Sequence, residues 1–161
     1  MVLRIDTREH ESEMKRILPQ FDKLGVSYYR KKLNVGDYMN IRNPRIVVDR
    51  KKDLQEISGN VCQDHIRFRK ELERAQELGI HLIILCEHGG QIKSLEDVLF
   101  WDNPRRHLRI KKNGVWTTQE TKAITGEKLY KILDTMRKKY GVEFLFCDKR
   151  QTAQRIVELL K

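Results

Sequence analysis

The sequence predicts an α/β domain, with a mixed β-sheet flanked by helices on both faces. Three observations carry that expectation. Apolar runs of strand length, IVVDRK at 46–51, HLIILC at 81–86 and VEFLFC at 142–147, alternate with longer stretches whose apolar residues recur at helical spacing. The order strand, helix, strand between 46 and 86 implies a right-handed parallel crossover, which needs helices over the sheet. The 161 residues are enough to bury one substantial core, and no internal repeat, low-complexity tract or linker divides them, so a single domain over 1–161 is expected.

In chain order, VLRID at 2–6 alternates apolar and polar residues as a short strand does. HESEMKRILPQFDKLG then brings Met14, Ile17, Leu18, Phe21 and Leu24 onto one helical face, with Pro19 expected to kink or restart the helix. VSYYRKKL reads as a second strand leading into VGDYMNI and, after the turn-forming RNPR, into IVVDRK, so a hairpin feeds a central strand. Over 63–78, Ile66, Phe68, Leu72, Ala75 and Leu78 mark an amphipathic helix, Gly79 suits its C-cap, and HLIILC follows as a buried strand. SLEDVLFW reads as a short helix, and RRHLRIKKNGVW as a basic stretch around an Asn113-Gly114 turn. A helix over about 125–140, the strand VEFLFC and a closing helix TAQRIVELLK complete the chain.

Lys and Arg number 33 against 23 Asp and Glu, a net charge of +10. That balance favours a polyanionic partner, nucleic acid first, over an acidic protein surface or a neutral metabolite. No signal-peptide-like apolar segment opens the sequence and no apolar run is long enough to cross a bilayer, so a cytoplasmic protein without a membrane role is expected. Cys62, Cys86 and Cys147 lie far apart without a CxxC spacing, and their odd count suits reduced buried thiols better than a disulfide frame or zinc site. His10, His65, His81, His88 and His107 show no metal-ligand spacing.

The chemistry concentrates at one strand end. Residues i and i+2 of a strand share a face, so Asp49 and Lys51 project to one side, about 7 Å apart, while Arg50 points to the other. If the hairpin turn centres on Asn43, Asp37 stands directly opposite Asp49 with Cβ atoms about 5 Å apart; a turn one residue shorter sets Asp49 opposite Tyr38 instead. Two carboxylates so placed repel unless a divalent cation lies between them, and hard oxygen ligands on a rigid sheet suit Mg²⁺ or Mn²⁺. Such a cation acidifies water for phosphodiester hydrolysis, and a lysine one strand step away orients that water or holds a phosphate oxygen. A lone D-x-K is more commonly a solvated strand end with a surface ion pair. Here Gly36-Asp37 at one strand end, twelve residues before Asp49 and an apolar lead-in on a basic chain, favour a site.

The runs IDTRE at 5–9, GDY at 36–38, VVDRK at 47–51 and QDHIRFRKELERA at 63–75 resemble the nuclease domain of the XPF-type structure-specific DNA endonucleases, a branch of the PD-(D/E)xK superfamily. The chain is most similar to stand-alone versions encoded by bacteriophages, and its second half agrees in layout and in AITGEKLYKILDTMRKKYGVEFLFCDK. The resemblance implies a restriction-endonuclease-like fold and a Mg²⁺- or Mn²⁺-dependent DNA endonuclease acting on DNA structures or ends in repair, recombination or replication. It makes Asp37 and Asp49 metal ligands, with the Arg50 carbonyl as a third protein oxygen, and Lys51 the catalytic lysine. Asp6 and Glu9 then complete the cluster by holding a metal-bound water or fixing Lys51; the competing reading makes them an N-cap and a first-turn acid. The Arg50 side chain is either a phosphate contact or a plain salt bridge.

The sequence departs from the family in two places. Asp49 stands where glutamate is usual, one methylene shorter, and the family's aspartate four residues beyond the lysine has no match, since Asp53 follows Lys51 by two. The sequence also continues into no helix-hairpin-helix domain, so branched-DNA specificity is not implied. DNA is the implied partner, without a small-molecule cofactor and with room for a homodimer, in the host cytoplasm if the gene is a phage's. The alternatives are a catalytically inactive nucleic-acid-binding module of the same fold, against which the intact Asp37, Asp49 and Lys51 argue, and a structural protein of a viral assembly, which leaves the acidic set unexplained.

Further DNA contacts are expected from Arg67 and Arg69 at the start of the helix after the active strand, with a helix-surface salt-bridge set as the competing reading. Arg105, Arg106, Arg109, Lys111 and Lys112 form a basic stretch whose neighbours Trp101 and Trp116 suit stacking on unpaired bases, although two core tryptophans under a solvated hairpin is the stronger expectation for that pair.

Overall fold

Alternation within the strand His81–Cys86 sets the architecture: Leu82, Ile84 and Cys86 enter one hydrophobic core, Ile83 and Leu85 the other. A strand buried on both faces must be covered on both. The computed structural model describes residues 1–161. Its strands are β1 (Val2–Ile5), β2 (Ser27–Arg30), β3 (Tyr38–Asn40), β4 (Asn43–Lys51), β5 (His81–Cys86), β6 (His107–Lys112), β7 (Val115–Glu120) and β8 (Glu143–Phe146). The helices are α1 (Glu11–Lys23), α2 (Leu54–Cys62), α3 (His65–Glu77), α4 (Gly126–Tyr140) and α5 (Thr152–Leu159), with a short 3-10 turn at Glu96–Phe100.

Six strands form a mixed sheet in the order β2-β1-β3-β4-β5-β8, antiparallel at β1–β3 and β3–β4 and parallel elsewhere. On one face Met14, Ile17 and Phe21 of α1 pack with Ala153, Ile156 and Val157 of α5; on the other, Leu54 and Ile57 of α2, Phe68 and Leu72 of α3 and Leu129 and Leu133 of α4 cover the sheet. The expected helices on both faces are present. Gly126 lets α4 approach the 3-10 turn, because a Cβ there would stand 2.4 Å from the Val98 carbonyl oxygen and 2.6 Å from that of Trp101.

Several local expectations are corrected. Pro19 does not restart α1, which runs unbroken from Glu11 to Lys23; Met14, Ile17 and Phe21, buried on both sides of Pro19, hold it in place, while Leu24 is 46% exposed past its end. A helix absent from the sequence reading, α2, fills 54–62: Asp53 caps it by accepting the Glu56 N–H at 2.8 Å, and Leu54, Ile57, Ser58 and Val61 bury one stripe. This is the structural role of Asp53. Ile66 and Leu78, expected on the buried face of α3, are both more than half exposed.

The β3–β4 connection turns at Ile41-Arg42, not at Asn43, as Asn40 pairs with Asn43. A bulge between Met39 and Asn40 then shifts the register so that Tyr38 pairs with Val48, the alignment that a turn centred on Asn43 would have given. Beyond β5, Asn113 (φ 49°) and Gly114 (φ 81°) make the two-residue turn of the separate β6–β7 hairpin. Trp101 lies in the core, but Trp116, expected there too, is 59% exposed because nothing packs beneath this two-stranded ribbon.

Candidate active site

The end of β4 divides its side chains between the two faces. Asp49 and Lys51 follow Val47 towards α2 and α3, whereas Arg50 follows Val48 towards α1. Gly36, at φ +62°, brings the preceding segment so close to β4 that a Cβ would stand 2.6 Å from Val47 Cγ1. From there the Asp37 N–H donates to the Val48 carbonyl at 2.9 Å, and the Arg50 N–H donates to Asp37 Oδ2 at 2.9 Å. The Tyr38–Val48 register thus carries Asp37 alongside Asp49.

The electrostatics follow from that pairing. Burial, then the neighbouring charges of Asp49 and Glu9, push the Asp37 carboxyl well above the usual carboxylate range. Burial pulls the Lys51 ammonium down, but Asp49 and Asp37 outweigh it and hold it above its ordinary value, so Lys51 stays charged. Its Nζ lies 2.8 Å from Asp49 Oδ2 and 5.9 Å from the Phe68 ring centroid. Asp49 Oδ2 is buried and has this ammonium as its one partner, with no hydrogen bond from the rest of the protein. No three His, Cys, Asp or Glu side chains are arranged to hold a metal; the site offers two carboxylates on a strand whose main chain supplies further oxygens. A buried carboxylate oxygen held by a single ammonium, beside a second carboxylate whose charge its neighbours disfavour, fits a hard divalent cation.

The remaining expected residues are held by protein partners, and two of them, Glu9 and Arg50, line the same groove as Asp37, Asp49 and Lys51. The Arg50 guanidinium is held by Glu9 through two hydrogen bonds of 2.9 and 3.1 Å and by Glu87 at 3.2 Å, and only 8% of the residue is exposed. Tyr38 donates to Glu9 Oε2 at 3.1 Å, Thr152 donates to Glu87 Oε1 at 2.6 Å, and Arg16 pairs with Glu13 and Glu87. The Arg50 side chain thus makes the salt bridge of the two readings, with Glu9 as its main partner, and both residues line the groove that holds Asp37, Asp49 and Lys51. Asp6 is fully buried and accepts from the Arg8 N–H and Nε, both at 2.7 Å, and from the Leu33 N–H. Burial raises its carboxyl, but these donors outweigh it and hold the group below its usual range. Asp6 staples the loop after β1 to the segment leading to Asp37, with its oxygens turned to protein donors.

Asp37, Asp49 and Lys51 lie in a groove of about 1010 Å³ whose 20 lining residues include one hydrophobic side chain, that of Ile66, so it suits a charged polymer better than a drug-like ligand. Arg67, Lys70 and Arg74 of α3 line it together with Arg8 and Lys52, interspersed with the carboxylates of Glu9, Glu13, Glu56, Asp64 and Glu71. Arg69, two positions from Arg67 and so on another side of the helix, lies outside it and pairs with Glu73 at 3.5 Å. The sequence reading missed Glu71, which accepts the Gly36 N–H at 3.1 Å, Glu56, which accepts the Lys52 N–H at 2.8 Å, and the cations Lys70 and Arg74. The available signal was the helical spacing 67, 70, 71, 74. Of the basic stretch, Arg105 lies in a second cleft, Arg109 and Lys111 flank Trp116 at 5.5 and 5.9 Å, and Arg106 and Lys112 line neither cavity.

The family described as the ERCC4 domain matches residues 5–160, a span that includes IDTRE, GDY and VVDRK. Among solved structures the chain is similar to XPF from Aeropyrum pernix, with a TM-score of 0.65 at 22% identity over 99% of this chain and 63% of that one. It is similar as well to the complex of XPF from Aeropyrum pernix with DNA, with a TM-score of 0.62 at 19% identity over 99% and 62%. The chain thus spans less than two thirds of those solved chains. No match was found among curated proteins. Likeness at this identity shows a shared fold, that of the XPF nuclease domain, and the match along nearly the whole sequence shows the family: this chain belongs to the ERCC4-domain family and carries a nuclease-type domain.

Proposed function

We propose that the protein hydrolyses phosphodiester bonds of DNA as a divalent-metal-dependent endonuclease. The observation that carries this reading is the buried carboxylate of Asp49, whose Oδ2 has the Lys51 ammonium as its one partner, beside Asp37 in a polar groove that Arg67, Lys70 and Arg74 line on the α3 side. Asp37, Asp49 and the carbonyl of Arg50 would hold Mg²⁺ or Mn²⁺, which when bound supplies an acidified water and neutralisation of negative charge. Lys51 remains an ammonium and has no lone pair to take a proton, so it steadies a phosphate oxygen as charge builds on it. Arg67, Lys70 and Arg74 position the strand by its phosphates. Glu9 and Glu87 act at one remove: by clamping Arg50 they fix the direction in which Asp49 and Lys51 project. The likeness to XPF in a DNA complex supports DNA as the polymer.

The test is digestion of supercoiled, linear single-stranded and forked DNA with Mg²⁺, with Mn²⁺ and with chelator. Cleavage that requires a divalent ion supports the reading. Binding without cleavage of any substrate under any condition would overturn it in favour of a non-catalytic nucleic-acid-binding module.

A further inference from the structure

A second cleft lies between the end of α2 and the start of α4, and its charged lining residues are Arg105, Lys122 and Lys128, with no carboxylate among them. Gln63 lines both this cleft and the cutting groove, so the two adjoin. Arg105 and Lys122 also stand at the two feet of the β6–β7 hairpin. There Thr121 closes the neck, its hydroxyl donating to the Arg105 carbonyl at 2.6 Å and its N–H to the Arg106 carbonyl at 2.8 Å. The hairpin therefore rises from the rim of a cationic cleft that continues the groove.

One face of the hairpin has the chemistry of a nucleotide site. The register sets Lys111 opposite Trp116 and Arg109 opposite Thr118, so all three of Arg109, Lys111 and Trp116 share a face. The Arg109 guanidinium carbon lies 5.5 Å, and the Lys111 ammonium 5.9 Å, from the Trp116 ring centroid. Trp116 is 59% exposed where Trp101 is 8% exposed, so its ring has no core to fill. An exposed indole offers a stacking surface to a base, and the two cations that lie over its ring are long, flexible side chains that swing aside to meet the phosphates accompanying that base. A duplex would meet the cations alone, since its base faces are already covered by neighbouring pairs.

We propose that this cleft and hairpin form a binding site for an unpaired nucleic-acid strand: a base stacks on Trp116, its phosphates meet Arg109 and Lys111, and Arg105, Lys122 and Lys128 hold the strand on its way to the groove. The site deepens the DNA reading of the cutting groove and rests on it for the identity of the polymer, but binding is measured without cleavage. The two therefore fail separately.

The experiment titrates the full chain, in chelator, with an oligothymidylate and with a blunt duplex of equal length. The single strand quenches Trp116 emission over a constant background from buried Trp101, and Trp116→Phe abolishes the quench while keeping affinity within a few-fold. Trp116→Ala weakens single-strand binding roughly tenfold and duplex binding by less than about twofold. Replacing Lys122 and Lys128 with Ala lowers the single-strand salt slope by about 1.4 units. Equal losses on both polymers, no quench, or a loss of binding that follows dissociation of a dimer in sedimentation would each overturn the proposal. Digestion that fails while these differences persist would remove the nuclease and leave the site standing.

Discussion

Asp49 is buried, and its Oδ2 has the Lys51 ammonium as its one partner. Asp49→Asn keeps the shape while removing the charge. It should abolish cleavage and leave DNA binding intact or tighter, because one negative charge facing phosphate is gone; a purified variant that cuts at the parent rate would show that D-x-K is not the site. Lys51 is a different case, since its ammonium contacts Asp49 but is not needed to complete a ligand set. Lys51→Ala should lower turnover by about two to four decades, the size expected for one positioned charge in a transition state, with metal affinity nearly unchanged by calorimetry. Loss of metal binding in that variant would mean that Lys51 holds the site together. Position and residue type in the sequence were enough to place Asp37, Asp49 and Lys51 together. They could not show where Arg50, Glu9 and Asp6 end up, because these residues bond to partners as distant in sequence as Glu87 and Leu33, which no local spacing reveals.

Among the elements, those with a strong period or a firm cap were legible, and those without were not. The Asn113-Gly114 turn, the Gly79 cap at φ +64° and the apolar core of β5 follow from local chemistry. Helix α2 escaped because Ser58, Gly59 and Asn60 interrupt LQEISGNVC with poor helix formers, and its stability comes from burying Leu54, Ile57 and Val61. The β3–β4 pairing was reached through a wrong turn, since a bulge that sequence does not announce restored the register. On α3 the closeness of Arg67 and Arg69 in sequence suggests one patch, but the helix separates residues i and i+2, and Arg67, Lys70 and Arg74 form the groove-facing row. Changing those three to Ala should lower the duplex salt slope by up to about 2.7 units, at roughly 0.9 per phosphate contact, whereas Arg69→Ala should leave it unchanged. An equal effect from Arg69 would place the DNA path outside the groove.

For the whole molecule, both faces of the sheet converge on the end of β4. One core carries α2 and α3, and on the side of α1 Arg50 lies among Glu9, Glu13 and Glu87, so the groove is lined from both sides and the strand end is clamped through Arg50. The fold thereby supports two carboxylates that disfavour each other. Asp37, with its carboxyl raised in the folded state, costs stability at pH values above its unfolded pKa, a cost that a cation or a neutral side chain removes. Thermal unfolding at neutral pH should therefore shift upward with Mg²⁺ or Mn²⁺. With metal at a hundredfold excess over its dissociation constant the gain is about 2.7 kcal/mol, or roughly 5–11 °C for a chain of this size. Asp37→Asn should melt above the parent in chelator and lose the metal-dependent shift. If it keeps the whole shift, the cation binds elsewhere; if the parent shows none, the repulsion at β4 is borne without a metal, and the charge of Lys51 alone is what offsets it.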